Sequence, residues 1–254
     1  MRTPTLACVP EGPVAVPDAV RRLAGDDAVT PVWRNVLGGL TFRISGPAAG
    51  SGQEAERFVK WVTAGTSGLD LDGEAERLAW AGAYVTVPTV LERGRDATGT
   101  WLATRALPGR SAVDPVWVAR PAAAARAVGA GLRALHDALP VADCPFTWGA
   151  AERSARLSAA GRRDLGEVPA IDRLVVCHGD ACAPNTLIDD DGTWSGHVDL
   201  AALGIADRWA DLAVASMSLG WNYGDGYEAE FFDAYGITPD AERIAFYRRL
   251  FQLD

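Results

Sequence analysis

Lysine is almost missing from this chain of 254 residues: 23 of its 24 basic side chains are arginine, and Lys60 is the exception. A composition so biased toward arginine retains one strand lysine for a reason, because the two cations are not interchangeable at a bound group. Cysteine is scarce too. Cys8, Cys144, Cys177 and Cys182 form no C-x-x-C pair, which argues against a structural zinc site or a disulfide framework. No uninterrupted apolar run reaches membrane-spanning length. Pro10, Glu11, Pro13, Pro17 and Asp18 break up the first residues, so no secretory leader is expected there and a cytoplasmic protein is. A G-x-x-x-x-G-K-[ST] loop is also lacking, so any nucleotide must be held by other means.

What is present describes an ordinary globular protein. The hydrophobic fraction is 48% and the charged fraction 22%, and the length suffices for one large domain or two lobes. The formal net charge of −9 speaks against a nucleic-acid surface and permits a cationic small molecule, although acidity alone favours the plainer reading of an acidic solvated surface.

The chemistry concentrates between residues 175 and 199. An apolar run, Val175-Val176-Cys177, ends in His178-Gly179-Asp180; a short loop leads to Asn185; a second run, Thr186-Leu187-Ile188, follows. After the turn Asp189-Asp190-Asp191-Gly192, a third run closes at Val198-Asp199-Leu200. Phosphoryl transfer needs such a set, since the protein's work is mostly positioning and charge neutralisation. Asp180 can take or orient the proton of an attacking hydroxyl, and Asn185 and Asp199 offer the hard oxygen ligands that Mg²⁺ requires.

The spacing H-G-D-x-x-x-x-N with a downstream V-D-L resembles the kinase-like antibiotic phosphotransferases. The wording His178-Gly179-Asp180-Ala181-Cys182-Ala183-Pro184-Asn185 is most similar to the aminoglycoside O-phosphotransferases. The likeness continues through Gly204 to Ala213, at Tyr235-Gly236-Ile237 and from Arg243 to Arg248, and is only scattered in the N-terminal half. It implies ATP or GTP with Mg²⁺, and a cationic small-molecule acceptor bound by a monomer or weak dimer. Lys60 falls where the family's strand lysine meets the α- and β-phosphates, and Glu74 where a helix carboxylate holds that lysine; Glu76 is the competitor. The Gly38-Gly39 hairpin would cover the phosphates, although taken alone it reads as a plain turn. Arg105 to Leu107 would be the hinge that meets adenine, and Asp254 a substrate-side carboxylate.

Other stretches read locally. Asp18 to Ala24 is a short helical candidate, Gly46 to Gly52 a loop, Arg57 to Val62 a strand, and Ala122 to Ala138 a strong helix. His136 reads as a packing histidine and His178 as a loop-fixing one. Asp207 and Asp211 lie four apart at a helix start, as capping and bracing groups. Ala201-Ala202 stands where relatives commonly have Gly-Arg, which removes a cation that could face the phosphates. Glu152, Asp164 and Glu167 are the acidic residues of the segment before the motif.

The resulting expectation is an α+β, protein-kinase-like two-lobe fold. Residues 1–107 would form a nucleotide-binding lobe, an antiparallel sheet with one prominent helix. Residues 108–254 would form a mainly helical lobe for catalysis and substrate binding. The expected reaction is transfer of the ATP γ-phosphoryl group to an aminoglycoside hydroxyl. The alternatives are a kinase of the same fold acting on another small hydroxyl compound and a catalytically silent nucleotide-binding module.

Overall fold

The computed structural model describes residues 8–46 and 56–254; most of the loop expected at Gly46 to Gly52 lies outside them. The chain divides into two compact units, residues 1–80 with 88–107 and residues 81–87 with 108–254.

The first unit is built on an antiparallel sheet in the order β1-β2-β3-β5-β4. Its strands are β1 (Ala28–Arg34), β2 (Leu40–Ser45), β3 (Glu56–Thr63), β4 (Val90–Arg95) and β5 (Gly99–Arg105). Side chains alternate across the pleat, so Phe42, Ile44 and Val59 reach one face. There they pack with Ala19, Val20 and Ala24 of α1 (Asp18–Ala24), and all six are buried. Lys60 alternates to the other face. Its strand β3 is central, with Thr41 and Leu102 as lateral partners. Helix α2 (Leu71–Ala81) has Asp72 and Glu74 in its first turn. Asp70 Oδ1 accepts the Gly73 N–H at 2.9 Å, a cap at the opening turn.

The second unit is mainly helical. Strand β6 (Arg110–Ser111) and helix α3 (Pro115–Val118) lead into α4 (Pro121–Ala138), whose Ala, Val and Leu face is buried. After α5 (Ala150–Arg156) and α6 (Ala159–Leu165) come the short strands β7 (Leu174–Cys177), β8 (Thr186–Ile188), β9 (Trp194–His197) and β10 (Gly204–Asp207). Antiparallel pairs β7/β10 and β8/β9 carry the motif, and β6 adds to β8. Helices α7 (Trp209–Tyr223), α8 (Glu228–Tyr235) and α9 (Ala241–Leu253) complete the unit. Gly236, left-handed at φ 81°, ends α8 and donates to Phe232 and Asp233 carbonyls.

Candidate active site

In the first unit Lys60 Nζ lies 2.6 Å from Glu74 Oε1. Glu74 is buried, whereas its competitor Glu76 is exposed; the carboxylate beside Lys60 is that of Glu74. The helical period decides it: a residue two places on along α2 points well away from the sheet. The Gly38-Gly39 segment is a tight turn organised by Asn35, whose Oδ1 accepts the N–H groups of Leu37 at 3.0 Å and Gly39 at 2.8 Å. The Gly38 N–H goes to the Asn35 carbonyl. Three amides of the hairpin tip are therefore used within it, as the plain-turn reading has it. Arg105 ends β5, exposed, and its N–H goes to the Thr89 carbonyl; Leu107, half-buried, closes this unit.

In the second unit β7 leads into the loop from His178 to Asn185. Gly179 takes φ 87°, and a Cβ there would stand 2.2 Å from the Ala202 carbonyl oxygen, so only glycine fits. The Ala201-Ala202 segment thus packs directly behind the loop. Asn185 Nδ2 donates to the Asp180 carbonyl at 2.9 Å and to Asp180 Oδ2 at 3.2 Å. That double donation fixes the amide's orientation, which leaves Oδ1 of Asn185 as the acceptor turned from Asp180. Asp180 Oδ1 is buried and has no hydrogen-bond partner among the described residues.

Asp199 is held by its predecessor. The Val198 N–H goes to the Asn185 carbonyl at 3.0 Å, and the Val198 carbonyl meets His178 Nε2 at 3.0 Å. Because His178 Nδ1 accepts the Asp180 N–H, Nε2 carries the proton and donates. His178, fully buried, thereby ties the Asp180 and Asp199 segments together, the loop-fixing role read for it. Asp199 sits at φ 64°, the one left-handed residue other than glycine among those described. Backbone strain of this kind persists where the surroundings enforce it, commonly at functional sites. An amide oxygen and a carboxylate are the hard donors that suit Mg²⁺, so the residues present fit that ion.

Asp211 braces the loop from below. It is fully buried and accepts the His178 N–H at 2.6 Å, the Gly179 N–H at 2.9 Å and His136 Nε2 at 3.0 Å. His136 Nδ1 meets Tyr235 Oη at 2.8 Å. Burial pushes the Asp211 carboxyl up, but hydrogen bonding and charge from His136, with help from His178 and Gly179, outweigh it and hold it below the usual range. Cys177 lies near His136 and Asp211, a trio with metal-ligand atoms within 4.8 Å. The His136 and Asp211 atoms are spent on hydrogen bonds, and burial pushes the Cys177 thiol well up, so the trio is structural. Asp207 caps α7 through the Trp209 N–H and takes the Asp172 N–H. Both aspartates therefore do the capping and bracing read for them.

Sequence reasoning missed Ser218, whose Oγ accepts the Ala183 N–H at 2.9 Å, and Ser111, whose Oγ donates to the Pro184 carbonyl at 2.8 Å. A lone serine has no spacing that announces such a contact. Asp254 gives its side chain to Arg153 at 2.7 Å, a buried guanidinium stacked 4.4 Å from the Trp148 ring. Glu152 accepts from Thr147 Oγ1. Burial, then the Asp180 charge, push the Cys182 thiol far up, so it stays protonated beside the loop.

The chain as a whole is similar to known proteins. An aminoglycoside 3'-phosphotransferase of Streptomyces fradiae is 38% identical over 216 residues, covering 72% of this chain and 80% of that protein. The streptomycin 3''-kinase of Streptomyces griseus is 36% identical over 268 residues, covering 89% and 96%. The solved structure of an aminoglycoside phosphotransferase from Streptomyces rimosus with ADP and streptomycin matches at TM-score 0.67 and 28% identity, covering 92% of this chain and 95% of that one. The expected kinase-like α+β fold is the one observed, a sheet unit followed by a helical unit. With the family model matching residues 40–247, the chain belongs to the phosphotransferase enzyme family.

Proposed function

We propose that this enzyme transfers the γ-phosphoryl group of ATP or GTP to a hydroxyl of an aminoglycoside antibiotic, inactivating it in the cytoplasm. The observation that carries the reading is Asp180: one carboxylate oxygen is anchored by Asn185, and the other is buried with no partner among the described residues. A fixed carboxylate with one uncommitted oxygen is what a hydroxyl proton needs. As the hydroxyl oxygen bonds to the γ-phosphorus, the bond from that phosphorus to the bridging oxygen breaks, the nucleoside diphosphate leaves, and Asp180 Oδ1 receives the proton.

Asn185 Oδ1 and the Asp199 carboxylate would hold Mg²⁺, which, when bound, neutralises charge on the phosphate oxygens. Lys60, kept in place by Glu74, serves the α- and β-phosphates, and the segment from Arg105 to Leu107 meets the base. Gly38 and Gly39 contribute a close-fitting turn over the nucleotide, with no donors beyond those Asn35 already takes. The named relatives support an aminoglycoside acceptor, and both 3'- and 3''-directed enzymes are among them.

Mass spectrometry of an aminoglycoside panel after incubation with the protein and Mg-ATP tests this. One added phosphate on a panel member is the expected result, and fragmentation then places it on a ring. Asp180→Asn should lower turnover by about 100- to 10,000-fold while the fold is kept. A panel left unmodified by a nucleotide-binding wild type would refute the substrate class.

A further inference from the structure

Trp221 on α7 is 59% exposed, a large apolar surface to leave in water on a helix otherwise well buried. It lies one helical turn past Ser218, which holds the catalytic loop at Ala183, so it shares a helix face with a residue touching that loop. Its ring stands 6.5 Å from that of Phe251 on α9, tilted by 41°.

Two amide side chains neighbour this pair in sequence, Asn222 beside Trp221 and Gln252 beside Phe251. Asn222 is anchored through Nδ2 to the Ser218 carbonyl at 2.7 Å and to Ser218 Oγ at 3.2 Å. Gln252 Nε2 meets Met217 Sδ at 3.8 Å. Two carboxylates of the flanking elements are engaged by arginine, Glu228 by Arg248 and Asp254 by Arg153. A ligand on this face meets an aromatic plane with amides beside it.

We propose that Trp221 is a specificity-determining residue of the acceptor site, a platform on which a hydroxyl-rich saccharide ring of the aminoglycoside stacks. This rests on the reading of the enzyme as an aminoglycoside kinase. The apolar C–H face of a pyranose carries slight positive charge and lies favourably on the electron-rich face of an indole. Asn222 and Gln252 flank the platform with amides, which pair with hydroxyls without demanding ammonium groups. The ring selected here is recognised by shape and hydroxyls, and its charge matters little.

The test uses initial rates on streptomycin, or on the panel member that the wild type phosphorylates fastest, with Mg-ATP and the full chain. Trp221→Ala should raise the acceptor KM by about 10-fold, with kcat and the ATP KM within about twofold. Trp221→Phe, which retains a ring, should stay within about threefold of wild type. Trp221→Glu separates stacking from charge: stacking predicts a raised KM like that of alanine, whereas attraction of ammonium groups predicts a lowered one. An unchanged acceptor KM in Trp221→Ala, or a lowered one in Trp221→Glu, overturns the proposal and leaves the kinase assignment standing. A wild type that phosphorylates no aminoglycoside sinks the underlying reading and this proposal with it.

Discussion

Replacing Asp211 by asparagine keeps the shape of the brace under the His178–Asn185 loop and removes its charge. In the wild type the carboxylate accepts three bonds, from the His178 and Gly179 amides and from His136 Nε2. An asparagine that keeps its oxygen on Gly179 turns an NH₂ group toward the His178 N–H, donor against donor. His136 can adapt by exchanging tautomers, because Tyr235 Oη can accept as well as donate. The His178 N–H cannot. Orphaning one buried amide costs about 1–3 kcal/mol, and the Gly179 bond loses its charge assistance, about 1 kcal/mol more. Relief from burying a charge does not offset this, since the net downward shift of the Asp211 carboxyl means the site stabilises the anion. The expected loss is about 3 kcal/mol, roughly a hundredfold in the folding constant. Urea unfolding of both proteins, compared at equal m-value, measures it. Turnover of the folded variant should also fall, because the His178-Gly179 backbone is the stem of the loop that carries Asp180. A variant within about 0.5 kcal/mol of wild type would show that the three bonds do not brace the loop.

Lys60→Ala should raise the ATP KM by about 10-fold or more with smaller effects on the acceptor, and Glu74→Gln should shift the same constant less; nucleotide kinetics unchanged in both would remove the pair from the site. Asp199→Ala should cripple Mg-ATP use at any ATP concentration, and normal turnover at ordinary Mg²⁺ would take Asp199 out of the ligand set. Asp254→Asn leaves the Arg153 guanidinium, 3% exposed, without its anion, and should cost about 1–3 kcal/mol on thermal unfolding with little change in acceptor KM; the reverse pattern would return Asp254 to substrate contact. Burial, then the nearby His178 ring, hold the His197 imidazole down at about 3. The folded value lies below the unfolded one, so its stabilisation is whole above about pH 6.5 and is lost as pH falls toward 3, about 2 kcal/mol by pH 5. His197→Leu should flatten the stability curve over that window, and an unaltered slope would mean that another group titrates there.

Much of the site was legible because its determinants are local. The interval from His178 to Asn185 is one loop between two strands, and Asp199 ends the next strand, so backbone spacing alone brings them to one side. The solitary Lys60 was conspicuous by composition, and the family resemblance pointed to Glu74 as its partner, with Glu76 the nearby competitor. Strands and helices followed their apolar periods throughout, from the Phe42 and Ile44 alternation to the Ala-rich face of α4.

The tertiary structure decided what no spacing encodes. His136 reaches Asp211 across 75 positions and Tyr235 across 99, and Arg153 reaches Asp254 across 101; a buried polar pair is specified by where two elements pack, not by a motif. The left-handed turn at Asp199 depends on Val198 being held at both its N–H and its carbonyl, by residues 13 and 20 positions away. That Trp221 stands in water beside Phe251 while its neighbour Leu219 is buried likewise follows only from how α7 and α9 cross. Sequence by itself determined the fold class and singled out the candidate residues, because periodicity and loop length are short-range constraints; the brace, the strain and the pairing of exposed Trp221 with Phe251 came from long-range packing, which alone sets which buried groups must satisfy one another.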